Sequence, residues 1–183
     1  YNDHSQKQVP VIWNAEDIAA IDTENGGTFT VTGSLEDGTE VTATVTVDRV
    51  NYVRNPSFED ADTSMWTVTC SGETDPTDYQ VKEADAHSGE VAFHFWSGTS
   101  DMDFSIEQSF TDLAPGTYEL SAFSQGGDLS ADASMELYAV VDGTELTAPF
   151  LLTTYADWQN PTVSDIQVTD GTLTIGARYH CNI

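Results

Sequence analysis

Val91-Ala92-Phe93-His94-Phe95-Trp96 puts Val91, Phe93 and Phe95 on one parity and Ala92, His94 and Trp96 on the other. A side-chain period of two is the mark of a β-strand with one face in a core. The pattern continues outward. Phe104, Ile106 and Gln108 alternate with Ser105 and Glu107, and Pro115-Gly116 turns the chain into Tyr118 to Phe123. Met135, Leu137, Ala139 and Val141 point one way before a turn at Asp142-Gly143. Ile166 and Val168 lead to Asp170-Gly171, after which Leu173, Ile175, Ala177, Tyr179 and Cys181 share a face. Strands at this spacing, divided by turn signals, predict an all-β jelly-roll sandwich over residues 51–183.

Upstream, Thr28 to Thr32 and Val41 to Val47 alternate around a turn at Glu36-Asp37-Gly38-Thr39. Gly38 supplies the positive φ that such a turn often needs. Only Ala15 to Ile21 could make a turn or so of helix. The alternation pauses near Asp48 to Val50, so the domain boundary is drawn there, giving a first unit of residues 1–50 and a second of 51–183.

The 183 residues are 39% hydrophobic, enough for real cores despite a formal charge of -26. The positive side chains are Lys7, Arg49, Arg54, Lys82 and Arg178. So acidic a surface repels nucleic-acid phosphates and anionic lipid heads. It suits a neutral partner or a divalent cation, or simply keeps a secreted protein soluble. No stretch approaches the ~20 apolar residues of a membrane span, and no signal peptide is visible. Cys70 and Cys181 fit either one disulfide or two thiols, both on core-facing parity.

Two resemblances sharpen this reading. The N-terminal unit, through Val9-Pro10-Val11-Ile12-Trp13, Gly27 to Gly33 and Val41 to Val47, resembles a bacterial immunoglobulin-like domain. That implies a small sandwich, one strand of which would precede Tyr1. The second unit resembles the family 61 carbohydrate-binding modules. The residues that carry this are Asn55-Pro56-Ser57-Phe58-Glu59, Ser64-Met65-Trp66, His87-Ser88-Gly89, Asp103 to Gln108 and Leu120 to Gly127, with Trp158-Gln159-Asn160-Pro161 and Val168 to Gly171. Family 61 modules accompany family 53 endo-β-1,4-galactanases of bacteria. The resemblance therefore implies a secreted or cell-surface-attached, non-catalytic module that holds neutral β-1,4-galactan for a covalently linked catalytic domain. It also implies a structural calcium where Asn55 to Glu59 meets the His87-Ser88-Gly89 loop, with the Glu59 carboxylate and backbone carbonyls near Ser57 and Ser88 as ligands. The family's final strand, with an Asp-Asp pair, is not reached at Cys181-Asn182-Ile183.

Sugar sites need flat aromatic rings ringed by hydrogen-bonding groups. Trp96 is the leading platform, opposite the core parity, with His94 two residues back on the same face. Packing beneath a loop is the plainer role for Trp96. Arg178 and His180 lie opposite the Leu173 to Tyr179 face; a guanidinium could fork onto vicinal hydroxyls or pair with a carboxylate. Trp158 is either a loop platform or a plug for the end of the sandwich. Gln125 and Gly126, with Gly127, form a tight polar turn that allows close ligand approach or only shapes a loop. Trp66 and Trp13 are expected in cores. His4, His87, His94 and His180 are scattered, and no nucleophile elbow or zinc helix is present. The alternative to sugar binding is a structural or adhesive module of a cell-surface protein.

Overall fold

The computed structural model describes residues 8–23, 26–71 and 75–182. Tyr1, His4, Lys7 and Ile183 lie outside them. The chain divides into two compact units, Tyr1–Tyr52 and Val53–Ile183.

In the first unit, β1 (Ile12–Trp13), β2 (Gly27–Ser34) and β3 (Glu40–Val47) form an antiparallel sheet in the order β1-β2-β3. A five-residue helix, α1 (Ala15–Ala19), joins β1 to β2. It is too short to persist on propensity alone. Asn14 caps it by accepting from the N–H of Glu16, and the Asp17 carboxylate reaches β2, accepting from Thr32 N (2.8 Å) and Thr32 Oγ1 (2.5 Å). Trp13, expected in a core, is 39% exposed. It lies on a two-residue edge strand against Gly33, where a Cβ would stand 2.7 Å from the indole. The ring covers the sheet surface instead of entering an interior.

The second unit is a β-sandwich. Its strands are β4 (Thr67–Cys70), β5 (Thr77–Val81), β6 (Val91–Phe95), β7 (Met102–Phe110), β8 (Gly116–Ser121), β9 (Ser134–Val141), β10 (Thr144–Phe150), β11 (Thr162–Val168) and β12 (Leu173–Cys181). A five-stranded sheet in the order β10-β9-β12-β7-β4 forms one layer, and the pairs β5-β6 and β11-β8 supply the other. Met135, Leu137, Phe104, Ile106, Ile175 and Tyr179 build the core from the first layer; Leu120, Ile166 and Val168 meet them from the second. Phe95 seals the hairpin side, its ring 4.7 Å from Tyr179 and 5.1 Å from Phe104.

Gln108 has core parity but is polar and 1% exposed. Its amide binds the backbone of Arg54 in both directions: Arg54 N donates to Oε1 (2.9 Å) and Nε2 donates to Arg54 O (3.0 Å). The side chain thus replaces a strand partner for the segment entering the sandwich, satisfying groups that would be costly to leave bare.

The Asn55 to Glu59 segment is a knot. Asn55 adopts φ 48° and its side chain exchanges hydrogen bonds with Asp60, both 3.0 Å. Phe58 at φ 61° turns its ring among Trp66, Tyr79 and Phe93, at 5.5 to 5.8 Å. Trp66, half-buried against the core, donates from Nε1 to Asn55 O (3.2 Å).

Cys70 and Cys181 are free thiols. Cys70 pairs with Phe104 and Cys181 with Met102, on opposite sides of β7. Two strand spacings, ~10 Å, separate them laterally, beyond the ~7 Å limit for a disulfide. Burial pushes the Cys70 thiol up to about 11, so both cysteines should alkylate only on unfolding, without reductant. Intact mass with and without denaturant checks this. For the clamp, Gln108→Leu is expected to destabilise the second unit by ~2–3 kcal/mol because it leaves Arg54 N–H and C=O unpaired. Gln108→Glu, which keeps the acceptor, should lose less. Chemical denaturation of both variants measures the order.

Candidate functional site

The β5-β6 hairpin pairs Asp78 with His94 and Gln80 with Ala92. Phe93 and Phe95 point down into the core, so His94 and Asp78 occupy the outward face, where His94 Nδ1 and Asp78 Oδ1 lie 2.8 Å apart. Trp96 N donates to Pro76 O (3.0 Å), which prolongs the ladder and holds Trp96 on the parity of His94. Its indole is 72% exposed. Behind it sits Gly98, where a Cβ would stand 2.9 Å from the ring. The glycine leaves the indole room to lie against the turn. Ser97 Oγ, accepting from Ser100 N (3.0 Å), fixes the turn. On the same hairpin, Gln80 keeps a buried Oε1 with no hydrogen-bond partner. Such orphaned groups mark places that water or a ligand completes.

The 3-10 turn Glu83–Asp85 between β5 and β6 carries a hub. Asp85 accepts from Lys82 Nζ (2.5 Å) and from Tyr155 OH (2.6 Å), and its backbone O accepts from Gln125 Nε2 (3.4 Å). Gln125 Oε1 in turn accepts from Ala156 N. The Lys82 and Tyr155 bonds hold the Asp85 carboxyl below its ordinary range, and the nearby Lys82 and His94 charges add to this. Asp85 therefore ties the hairpin to two loops and fixes Tyr155, itself 57% exposed.

Beside it the His87 ring stacks on Phe123 at 3.6 Å and meets Trp158 edge-on at 4.9 Å. Trp158 is half-buried and Phe123 is 50% exposed. The bridge between Ser124 and Gln159 (2.8 and 3.0 Å) binds the two loops together. Tyr155 and Phe123 thus keep exposed ring surface while their neighbours are held by hydrogen bonds and ring contacts.

The residues expected to hold sugar divide between two faces. Trp96 and His94 share the outward face of the hairpin, Gln125 is tied to Asp85 in the hairpin's turn, and Trp158 packs against His87. Gly126 does not open toward a ligand: at φ 146° its missing Cβ faces Leu152 at 3.0 Å, so it serves loop packing. Arg178 and His180 lie on the outside of the five-stranded sheet, because their neighbour Tyr179 points inward to Phe95. They cannot contact the same sugar ring as Trp96. Arg178 pairs with Glu145 (2.6 Å) and stacks over Tyr138 (4.1 Å). Tyr155, Asp85, Lys82, Asp78, His87 and Phe123 are the site residues that sequence reasoning missed.

Of the expected calcium ligands, Glu59 makes the defined contacts. Glu59 does meet the His87-Ser88-Gly89 loop, but as an acceptor: its Oε1 takes the N–H of Glu90 and of Val91, both at 2.8 Å. Gly89, at φ 73°, is required there, since a Cβ would stand 2.2 Å from Glu59 Oε1. Ser57 is half-buried and Ser88 exposed. Calcium takes about six to eight oxygens, and no group of three or more His, Cys, Asp or Glu suited to a metal occurs among the described residues. Glu59 Oε1 is thus engaged by backbone N–H groups, and no part of the functional reading runs through a metal. Among the described residues no helix is long and apolar enough to cross a membrane.

Residues 1–39 match the family profile of the bacterial Ig-like domain (group 4). No curated protein matches the chain. Among solved structures, TmCBM61 in complex with β-1,4-galactotriose is similar with a TM-score of 0.65 and 24% identity, over 73% of this chain and 90% of that one. The enzymatically active domain of bacteriophage CBA120 tailspike protein 4 is similar with a TM-score of 0.53 and 14% identity, over 73% of this chain and 19% of that one. A carbohydrate-binding module of the β-sandwich superfamily aligns with a TM-score of 0.48 and 16% identity, over 87% and 69%. Both resemblances read from the sequence are thus met, and the fold of the second unit is that of a β-sandwich module.

The hub makes a pH prediction. The folded-state pKa of Asp85 is depressed, so the stability it contributes is present above the unfolded value and is lost as pH falls through the folded one. Carboxyl-carbon NMR should find Asp85 titrating below 3.8. Tyr155→Phe should move it upward, and an unchanged titration would count against the hub.

Proposed function

We propose that this chain is a non-catalytic carbohydrate-binding module that holds neutral β-1,4-galactan, with the immunoglobulin-like unit as a spacer. On this reading it belongs to a secreted bacterial glycoside hydrolase and tethers it to the polysaccharide. The observation that carries the proposal is the Trp96 indole: outward-facing, backed by Gly98, and flanked by the His94–Asp78 pair. Galactose offers a face of C–H groups that packs on such a ring, while its hydroxyls turn to polar groups at the rim. His94 and Asp78 supply both donors and acceptors there. Tyr155 offers a second exposed ring, held still by Asp85. The likeness to TmCBM61 supports the assignment, and an acidic surface is consistent with a ligand that carries no charge.

Binding on this scale is weak per site. Covering about 60–80 Å² of an indole at roughly 25 cal/mol per Å² yields ~1.5–2 kcal/mol. Trp96→Ala is therefore expected to weaken binding about 10- to 30-fold with the fold intact. Affinity electrophoresis in galactan gels and calorimetry with galacto-oligosaccharides measure this, with circular dichroism as the control for folding. Migration of the wild type unaltered by any of a panel of plant β-glycans would favour a structural or adhesive module instead. Release of reducing sugar by the isolated chain would contradict the non-catalytic assignment.

A further inference from the structure

We propose that the outer face of the five-stranded sheet carries a second site for neutral sugar hydroxyls, built from Arg178, Glu136, His180 and Asp103. It rests on the glycan-binding reading above and faces away from Trp96. A depression of about 180 Å³ lies there, lined by these four side chains with Ser134 and Tyr179. Its base is rigid. Tyr138 is 2% exposed, and its hydroxyl donates to Glu107 on β7 (2.5 Å). To get there the ring crosses β12 over Gly176, where a Cβ would stand 2.5 Å from it. Arg178 stacks on this ring and is pinned by Glu145, leaving the rest of its five donors to the depression.

The spacing of the polar groups points to a hydroxylated ligand. Arg178 stands 3.9 Å from Glu136. His180 stands 3.6 Å from Asp103 and 4.0 Å from Asp132. Each pair exceeds hydrogen-bond length, yet each is close enough for one inserted oxygen to bridge it. A hydroxyl both donates and accepts, so it satisfies the cationic and the acidic partner of a pair at once. Vicinal hydroxyls match the fork of a guanidinium. The surrounding carboxylates disfavour a uronate, phosphate or sulfate. One module would then grip polymer on two opposite faces, which raises avidity or bridges two strands.

The test uses Trp96→Ala, in which the hairpin platform is removed. Titrating this variant with β-1,4-galactotriose should shift the NMR signals of Arg178 Nε–H and the His180 ring in a saturable way. Adding Glu136→Gln should weaken that response at least fivefold, whereas Glu136→Gln alone should leave binding at Trp96 unchanged. Silent Arg178 and His180 signals, in a protein whose wild type binds through Trp96, would overturn the second site and leave the first standing. A response indifferent to Glu136→Gln would also overturn it. A wild type that binds no glycan at all would overturn both readings together.

Discussion

A two-stranded hairpin is not stable by itself in water, and β5-β6 holds its shape only because its underside is dry. Tyr79 and Phe93 close on Phe58, and Phe95 packs against the stacked pair Phe104 and Tyr179. Aromatic contacts of this kind each add to what burial alone supplies. At the hairpin's other strand, Glu59 grips the first N–H groups of β6. The Asn55 to Glu59 knot is thus a fastener: Gln108 holds its start, the aromatic cluster its middle and β6 its end. What the hairpin carries on top, namely His94, Asp78 and Trp96, inherits its position from that fastening.

Charge is used sparingly for the same purpose. With 31 acidic residues against five cations, each cation of the second unit is tied to the fold. Arg54 Nη2 donates to Ser109 O, Lys82 bonds Asp85, and Arg178 bonds Glu145. Exposed ion pairs contribute little stability by themselves. Their value here is positional: Lys82 holds the Asp85 carboxylate that receives Tyr155, and Arg178 covers a tyrosine that would otherwise lie open on a sheet face. What is left facing solvent is strongly acidic, a chemistry that disfavours anionic ligands.

Period-two alternation made the strands legible, because a residue's face follows from its parity. Leu173 to Cys181 and Met135 to Val141 needed no more than that. Parity also set Trp96 and Arg178 outside the core, but not on which outside, since strand order decides whether two outward faces coincide. Polar residues in core positions were the harder case. Gln108 alternates like a core residue and is one, yet its partner Arg54 lies 54 positions away and no local pattern reveals it. Glu59 was legible as a residue with a specific partner near His87-Ser88-Gly89, but a carboxylate that accepts from two backbone N–H groups looks the same in sequence as one that binds a metal. Tyr155 stood three residues from Trp158 in a loop already marked as aromatic. Its role depends on Asp85, which is 70 residues distant and one among many acids. Trp13 misled because a tryptophan on a strand normally signals a core, and here the strand is a two-residue edge.

The rigidity of the platforms bears on why weak contacts would suffice. Association loses affinity to the ordering of side chains, about 0.5–1.5 kcal/mol for each flexible group immobilised. Tyr155 is held by Asp85, so for that ring part of the cost is met during folding and not on contact with ligand. A single ring then retains most of the small energy that stacking provides. On the proposed reading the ligand is a polymer of identical units, and a module released from one unit finds the next within reach. High affinity at any one ring would slow that exchange without improving retention, whereas stiff, shallow and repeated contacts keep a tethered protein on the polymer while leaving it free to move along it.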